Sequence, residues 1–239
     1  MDPKRKRTLI VIPAYNEEKN IREVIERSLP FADLCVVDDG SKDRTNEIIR
    51  SFPKVICITH KVNTHIPQAI LDGMRYAYDN GYDYVITMDA GLSHKPEELK
   101  MFIDAPQSDL VLGVRTHKKN VPMYRKFLSF MAKVLINFSM RPIGVDIPPA
   151  SFNDVTSGFR RYSRNAFGLL LNKKLRAKSF DFHTEALMIV YRNGLSVSEV
   201  PIIYDFTGSS LTMKVVIQSI KMFLHMLSTK REVQVPRET

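Results

Sequence analysis

The 239-residue chain lacks most of the signals by which whole protein classes are recognised. It has two cysteines, Cys35 and Cys57, each inside an apolar run. Two isolated thiols make neither a metal-binding spacing nor a disulfide framework, so each reads as a small core hydrophobe. A reducing, cytoplasmic setting is the simpler expectation. No uninterrupted apolar stretch approaches the ~20 residues that span a bilayer, so a role at a membrane would be peripheral. The basic start, Lys4-Arg5-Lys6-Arg7, is followed only by Leu9 to Ile12 before Pro13, too short for a secretory apolar region. No G-x-G-x-x-G follows that first apolar run and no Walker A sequence occurs, which excludes the two best-known glycine-rich phosphate loops. Internal repeats and low-complexity segments are absent too.

What is present is an ordinary globular composition, 44% hydrophobic and 26% charged. The 35 Lys and Arg against 26 Asp and Glu leave a net charge of +9, which favours anionic partners such as nucleotides or anionic lipid surfaces. No RNA-binding motif accompanies the Lys4–Arg7 cluster, so nucleic acid is not expected as a partner.

Thr8 to Ile12 is a continuous apolar and β-branched run, the pattern of a strand buried on both faces of a parallel sheet. Asn16 reads as an N-cap before Glu17 and Glu18, with Ile21, Val24, Ile25 and Leu29 at helical spacing. Leu34 to Val37 is a second strand ending in Asp38-Asp39-Gly40-Ser41, ahead of a helix around Thr45 to Arg50. Val55 to Thr59 is a third strand, leading to a helix with Pro67 near its start and Gly81 at its close. Tyr84 to Met88, a helix from Pro96 to Phe102, and Leu110 to Val114 continue the alternation, which predicts an α/β, doubly wound, mostly parallel sheet flanked by helices. Phe159 to Tyr162 reads as a further strand, Thr184 to Tyr191 as a helix closed by Gly194, and Val197 to Ile203 as an edge strand interrupted by Pro201.

Two other segments differ in character. Tyr124 to Met140 and Thr212 to Ser228 read as strongly apolar helices with narrow polar stripes, separated in sequence by a loop from Arg141 to Asn153. Their wide apolar faces fit core packing, a lipid interface beside Lys126, Lys133, Lys214 and Lys221, or a second copy of the chain. The tail from Thr229 to Thr239 is polar.

The fourth strand stops abruptly at Asp89. In an open parallel sheet ligands gather outside the carboxyl ends of strands, which places such an acid to meet a charged ligand or its metal. Starting the following turn, or capping the helix near Pro96, is the competing reading.

Five stretches then combine: Pro13-Ala14-Tyr15-Asn16-Glu17, Val37-Asp38-Asp39-Gly40-Ser41, Asp89, Thr156-Ser157-Gly158-Phe159-Arg160 and Glu199-Val200-Pro201-Ile202. In this order they resemble a family 2 glycosyltransferase of GT-A fold, and are most similar to dolichyl- or polyprenyl-phosphate mannosyltransferases and their relatives. The likeness runs from about residue 8 to 211. It implies one GT-A domain over 1–210, with a nucleotide-sugar-binding half at 8–115 and an acceptor half at 116–210, followed by a C-terminal amphipathic helix and polar tail at 211–239. The implied reaction moves a hexose from a GDP- or UDP-sugar to a polyprenyl phosphate or another membrane-associated acceptor. A nucleotide-sugar donor, a lipid-phosphate acceptor, a membrane surface and a second copy are the partners it suggests.

The resemblance also assigns residues. Pro13, Ala14, Tyr15, Glu17, Asp38, Asp39, Ala90 and Arg115 would bind the nucleotide sugar, through an aromatic platform and carboxylates that accept from base N–H and ribose hydroxyl groups. Arg115 and Arg160 would grip phosphate oxygens, and Asp89 would hold a divalent cation, Mg²⁺ or Mn²⁺. An ionised phosphate acceptor needs no strong base; for a hydroxyl acceptor, Asp154 is the candidate base, with loop ordering as its other reading.

Two departures stand out. Relatives usually carry Asp-x-Asp after the fourth strand, whereas here Asp89-Ala90-Gly91 lacks the second acid. His94 is a conceivable substitute, though a histidine there is more often a hydrogen-bonding loop residue and suits softer metals. The prenyl-phosphate enzymes also commonly show Arg-x-x-Gly-x-Ser-Lys near the end of the match, against Asp205-Phe206-Thr207-Gly208-Ser209-Ser210-Leu211 here. A sugar-nucleotide-binding or scaffold protein with weakened catalysis is therefore the alternative.

Overall fold

The computed structural model describes residues 6–119, 123, 130, 133, 134, 136, 137, 151–179 and 181–205. Most of the helix expected at Tyr124–Met140, the loop at 141–150, and everything from 206 onward, including the second apolar helix, lie outside them.

The first strand, β1 (Thr8–Ala14), sits inside the sheet, and its sequence explains why. Leu9 and Val11 enter one core cluster while Ile10 and Ile12 enter a second on the opposite face. A strand covered on both sides has no polar face to present to water. β2 (Asp33–Asp38) and β3 (Val55–Thr59) extend the sheet on one side, and β4 (Tyr84–Thr87) pairs with β1 on the other, all parallel. Beyond β4 come β6 (Arg160–Ser163), antiparallel to both neighbours, then β5 (Leu110–Lys119) and the edge strand β7 (Val197–Asp205). The order is β3-β2-β1-β4-β6-β5-β7.

Helices cover both faces. α1 (Ile21–Ser28) and α4 (Leu99–Ile103), the latter preceded by a 3₁₀ turn at Pro96–Glu98, bury Ile21, Val24, Ile25, Leu99 and Phe102 in one cluster, joined by Ile49 of α2 (Thr45–Arg50). On the other face α3 (His65–Asp79), α5 (Arg164–Leu171) and α6 (Asp181–Arg192) contribute Ile70, Met74, Phe167, Leu170, Phe182 and Leu187. α5 has no counterpart in the sequence reading; its start is marked by Ser163, whose hydroxyl accepts from Ala166 N at 3.2 Å. Cys35 lies in the core as expected, where burial pushes its thiol up to about 12.

Asn16 is not the N-cap expected of it. α1 starts at Ile21, and Asn16 instead adopts φ 55°, a conformation Asn tolerates, so that its Oδ1 accepts from Lys42 N at 2.8 Å. β5 runs five residues beyond its expected end, through a register shift between Arg115 and His117 against β7. Such an irregularity re-aims the side chains beside it.

Candidate active site

The carboxyl ends of β1, β2 and β4 form one edge of the sheet, and the loops leaving them are laced together. Asn16 N donates to Ser41 Oγ at 3.0 Å, Glu17 N to Thr45 Oγ1 at 2.7 Å, and Glu18 N to Asp43 Oδ2 at 3.1 Å. Pro13 and Ala14 end β1 in register with Val37 and Asp38, and Asp39 N donates to Ala14 O at 2.8 Å. Tyr15 projects from this edge with 42% of its surface exposed, a free aromatic face among packed neighbours.

The two adjacent acids divide their work. Asp38 is buried and both its oxygens are occupied, Oδ1 by Ser41 N at 3.1 Å and Oδ2 by the Asn46 amide at 2.7 Å. These two bonds order the turn. Asp39 is loaded on Oδ1 alone, which takes Thr64 N, Thr64 Oγ1 and His60 Nδ1, each at 2.7 Å.

At the end of β4 the Asp89 side chain is 40% exposed, and Ala90 beside it is buried. Gly91 would accept a Cβ in ordinary contact, 3.7 Å from Glu17 Oε1. Gly158 is more confined, because a Cβ on it would lie 3.2 Å from Asp89 Oδ1 and 3.0 Å from His183 Nε2. The Asp89 carboxylate and the His183 ring therefore converge over the bare face of Gly158. Thr87 Oγ1 donates to Gly158 O at 2.7 Å and ties that loop to β4. His94 is buried beside Asp89: its ring packs against Phe159 with centroids 5.1 Å apart, and its Nδ1 lies 3.5 Å from Asp89 Oδ2. Burial lowers its pKa, and the nearby Asp89 charge offsets this only in part.

Arg115 reaches the same region but is committed. Its Nε and Nη2 grip Asp154 at 2.6 and 2.7 Å, and Nη2 also donates to Thr156 Oγ1 at 2.6 Å. Burial works against its charge, yet the Asp154 carboxylate more than offsets that and the guanidinium pKa is raised. Asp154 is correspondingly buried and locked in a fork–fork pair, a poor state from which to accept a substrate proton. The motif acid Glu199 clamps the preceding residue, taking Asn153 N at 2.6 Å and its amide at 2.7 Å.

Arg160 departs further from expectation. It is fully buried, and its fork donates to Ser157 O at 2.7 Å, Val155 O at 2.9 Å and His183 O. Those carbonyls satisfy the guanidinium inside the protein, so it positions the Val155–Gly158 loop and α6 instead of gripping phosphate.

Among the described residues no group of three or more His, Cys, Asp or Glu side chains is disposed to hold an ion. The donors present are an exposed Asp89 carboxylate and the His183 imidazole. The carboxylate suits Mg²⁺ or Mn²⁺ with ligand oxygens and water filling the remaining positions, whereas the imidazole would favour a softer transition ion over Mg²⁺. His183 was not singled out by the sequence. Its signal was a run of polar residues, Asp181, His183, Thr184 and Glu185, all buried in an otherwise apolar helix. Asp181 and Glu185 accept from backbone N–H groups of residues 176–179, whereas His183 Nδ1 is buried with no hydrogen-bond partner among the described residues. Burial, then the Arg160 charge, hold its pKa well below the imidazole range.

Known proteins bear on this arrangement. Residues 9–170 match the family model described as Glycosyl transferase family 2. The chain is 31% identical, over 92% of its own length and 95% of the relative's, to a UDP-N-acetylglucosamine–dolichyl-phosphate N-acetylglucosaminyltransferase of Methanococcus voltae. It is 32% identical, over 83% of its length and 77% of the relative's, to a polyprenol monophosphomannose synthase of Mycolicibacterium smegmatis. Its fold is similar to that of glucosyl-3-phosphoglycerate synthase from Mycobacterium tuberculosis in complex with Mn²⁺, UDP and glucosyl-3-phosphoglycerate, with a TM-score of 0.68 at 15% identity, covering 97% of this chain and 82% of that one. A profile match across most of the sheet, a relative aligned nearly end to end and the GT-A strand order agree: the chain belongs to glycosyl transferase family 2 and is a glycosyltransferase.

Proposed function

We propose that the enzyme transfers a hexosyl group from a UDP- or GDP-sugar to a polyprenyl phosphate at a membrane surface. The observation that carries this reading is the prenyl phosphate in the names of both relatives, dolichyl phosphate in one and polyprenol monophosphomannose in the other, aligned over 92% and 83% of the chain. The donor would lie along the sheet edge, its nucleoside against Tyr15, Glu17 and Asp39, with Pro13 and Ala14 beneath and its diphosphate toward Asp89 and Ala90. A phosphate oxygen of the acceptor attacks the anomeric carbon, the bond from that carbon to the diphosphate breaks, and the nucleoside diphosphate leaves with the electron pair. The acceptor is already an anion at neutral pH, so no proton needs removal, which agrees with the locked state of Asp154. A divalent cation, Mg²⁺ or Mn²⁺, held by Asp89 would offset charge on the leaving diphosphate. Arg115 contributes positive charge from behind its pair with Asp154.

Gly91, in place of a second acid, favours the other reading, a sugar-nucleotide-binding protein without turnover. Nucleoside diphosphate release from UDP-glucose, UDP-N-acetylglucosamine and GDP-mannose, with and without undecaprenyl or dolichyl phosphate and with Mg²⁺, Mn²⁺ or chelator, separates the two. Release that requires the lipid phosphate is the expected result. Tight donor binding without turnover toward either lipid would establish the second reading.

A further inference from the structure

We propose that His60 is a positioning residue for the nucleoside end of the site, holding Asp39 so that only its Oδ2 is offered to a nucleobase. The inference rests on the nucleotide-sugar reading and adds the machinery that sets base recognition.

His60 follows β3, and its N–H continues the ladder by donating to Asp38 O at 2.9 Å. Its ring lies between two carboxylates, Nδ1 at 2.7 Å from Asp39 Oδ1 and Nε2 at 3.0 Å from Asp72 Oδ2. With its proton on Nδ1 the ring donates to Asp39 Oδ1 and sets its other nitrogen against Asp72 of α3. Asp72 is itself fixed, its Oδ1 taking the Gln68 amide at 2.9 Å. Thr64 completes the clamp with two bonds to the same Asp39 oxygen. The loop carrying these groups cannot drift, because it closes on Gly40: a Cβ there would stand 2.7 Å from Val62 C. At the next residue His65 adopts φ 71°, a left-handed strain that surrounding structure must over-determine.

The bonds are strongly one-sided. Three donors converge on Asp39 Oδ1, and Oδ2 makes no hydrogen bond among the described residues. A carboxylate pinned by one oxygen presents the other as a fixed acceptor, which suits the ring N–H of uracil or guanine; the ring nitrogens of cytosine and adenine carry no such proton when joined to ribose. A preorganised acceptor avoids the ordering cost a mobile one would incur on binding.

Calorimetric titration of the full-length protein with UDP and GDP, and competition by inorganic pyrophosphate, tests this. His60→Gln can reach Asp72 but not Asp39, and should raise the Kd for the preferred nucleoside diphosphate about tenfold, the scale of one charge-assisted hydrogen bond. Pyrophosphate, which has no base, should bind that variant as it binds the wild type. His60→Asn, whose amide can take the Nδ1 place, should regain most of the affinity. Wild-type affinity in His60→Gln, equal losses in both variants, or parallel loss of pyrophosphate would overturn the role of His60. A wild-type protein that binds neither UDP nor GDP would overturn the nucleotide-sugar reading itself.

Discussion

Arg115 and Asp154 are a guanidinium and a carboxylate taken out of water together, and each is tolerable there because of the other. Removing one partner strands a buried charge, so Asp154→Asn should lose about 3 kcal/mol of stability in urea denaturation. The pH–rate profile of the surviving activity should keep its shape if, as proposed, a phosphate acceptor gives up no proton. A variant that folds as stably as wild type but does not turn over would restore Asp154 as a base. His94 and His183 make a second prediction at this scale, because both have lowered pKa values through burial. The unfolded chain takes up their protons near pH 6.5 while the folded chain still refuses them. Their contribution is therefore complete above that value and is lost as pH falls through it. Melting temperature should fall as pH drops below about 6.5 toward the lowered folded pKa values, and His183→Gln should flatten that slope.

At the scale of elements, α3 sits close against β1 of the sheet. A Cβ at Gly73 would come within 2.3 Å of Val11 Cγ1, and Val11 is a β-branched side chain in a strand buried on both faces. Gly73→Ala gains about 1 kcal/mol of helix propensity but forces overpacking that costs about 1–3 kcal/mol. Since Val11 has nowhere to turn, the loss should prevail, and the urea midpoint should fall while UDP or GDP affinity is kept. β1, β2 and β4 were legible because burial on two faces leaves uninterrupted apolar runs, as in Thr8–Ile12 and Tyr84–Met88, and β3, an edge strand that is only partly buried, still shows as a short apolar run from Val55 to Ile58. The site was legible only as far as local motifs carry it. Asp38 and Asp39 look alike in sequence, and what separates them is which neighbours, Ser41 and Asn46 or His60 and Thr64, the fold delivers to each. Arg160 reads as a phosphate grip until three backbone carbonyls are seen around it. His183 and Asp72 gain meaning only by approach across many residues, a relation no spacing rule encodes.

At the scale of the whole molecule, the question is how an enzyme with no membrane-crossing helix among its described residues would reach a lipid acceptor. Ile136 joins the core, while Lys133 and Asn137 bond to the loop at residues 152–153. Met123, Phe130 and Val134, in contrast, are 78%, 60% and 46% exposed. Large apolar side chains turned outward beside a chain of net charge +9 suit an anionic lipid surface better than water. The protein should sediment with vesicles containing anionic lipid at low ionic strength. It should be partly released as salt shortens the screening length to about 8 Å near physiological strength, because the charge component weakens while the apolar one does not. Phe130→Glu combined with Val134→Glu should abolish sedimentation and turnover of a vesicle-borne acceptor, yet leave the Kd for UDP or GDP unchanged. Wild-type protein that stays in the supernatant at low salt would sink the membrane role. Sedimentation velocity on the same sample would then show whether a second copy covers that face.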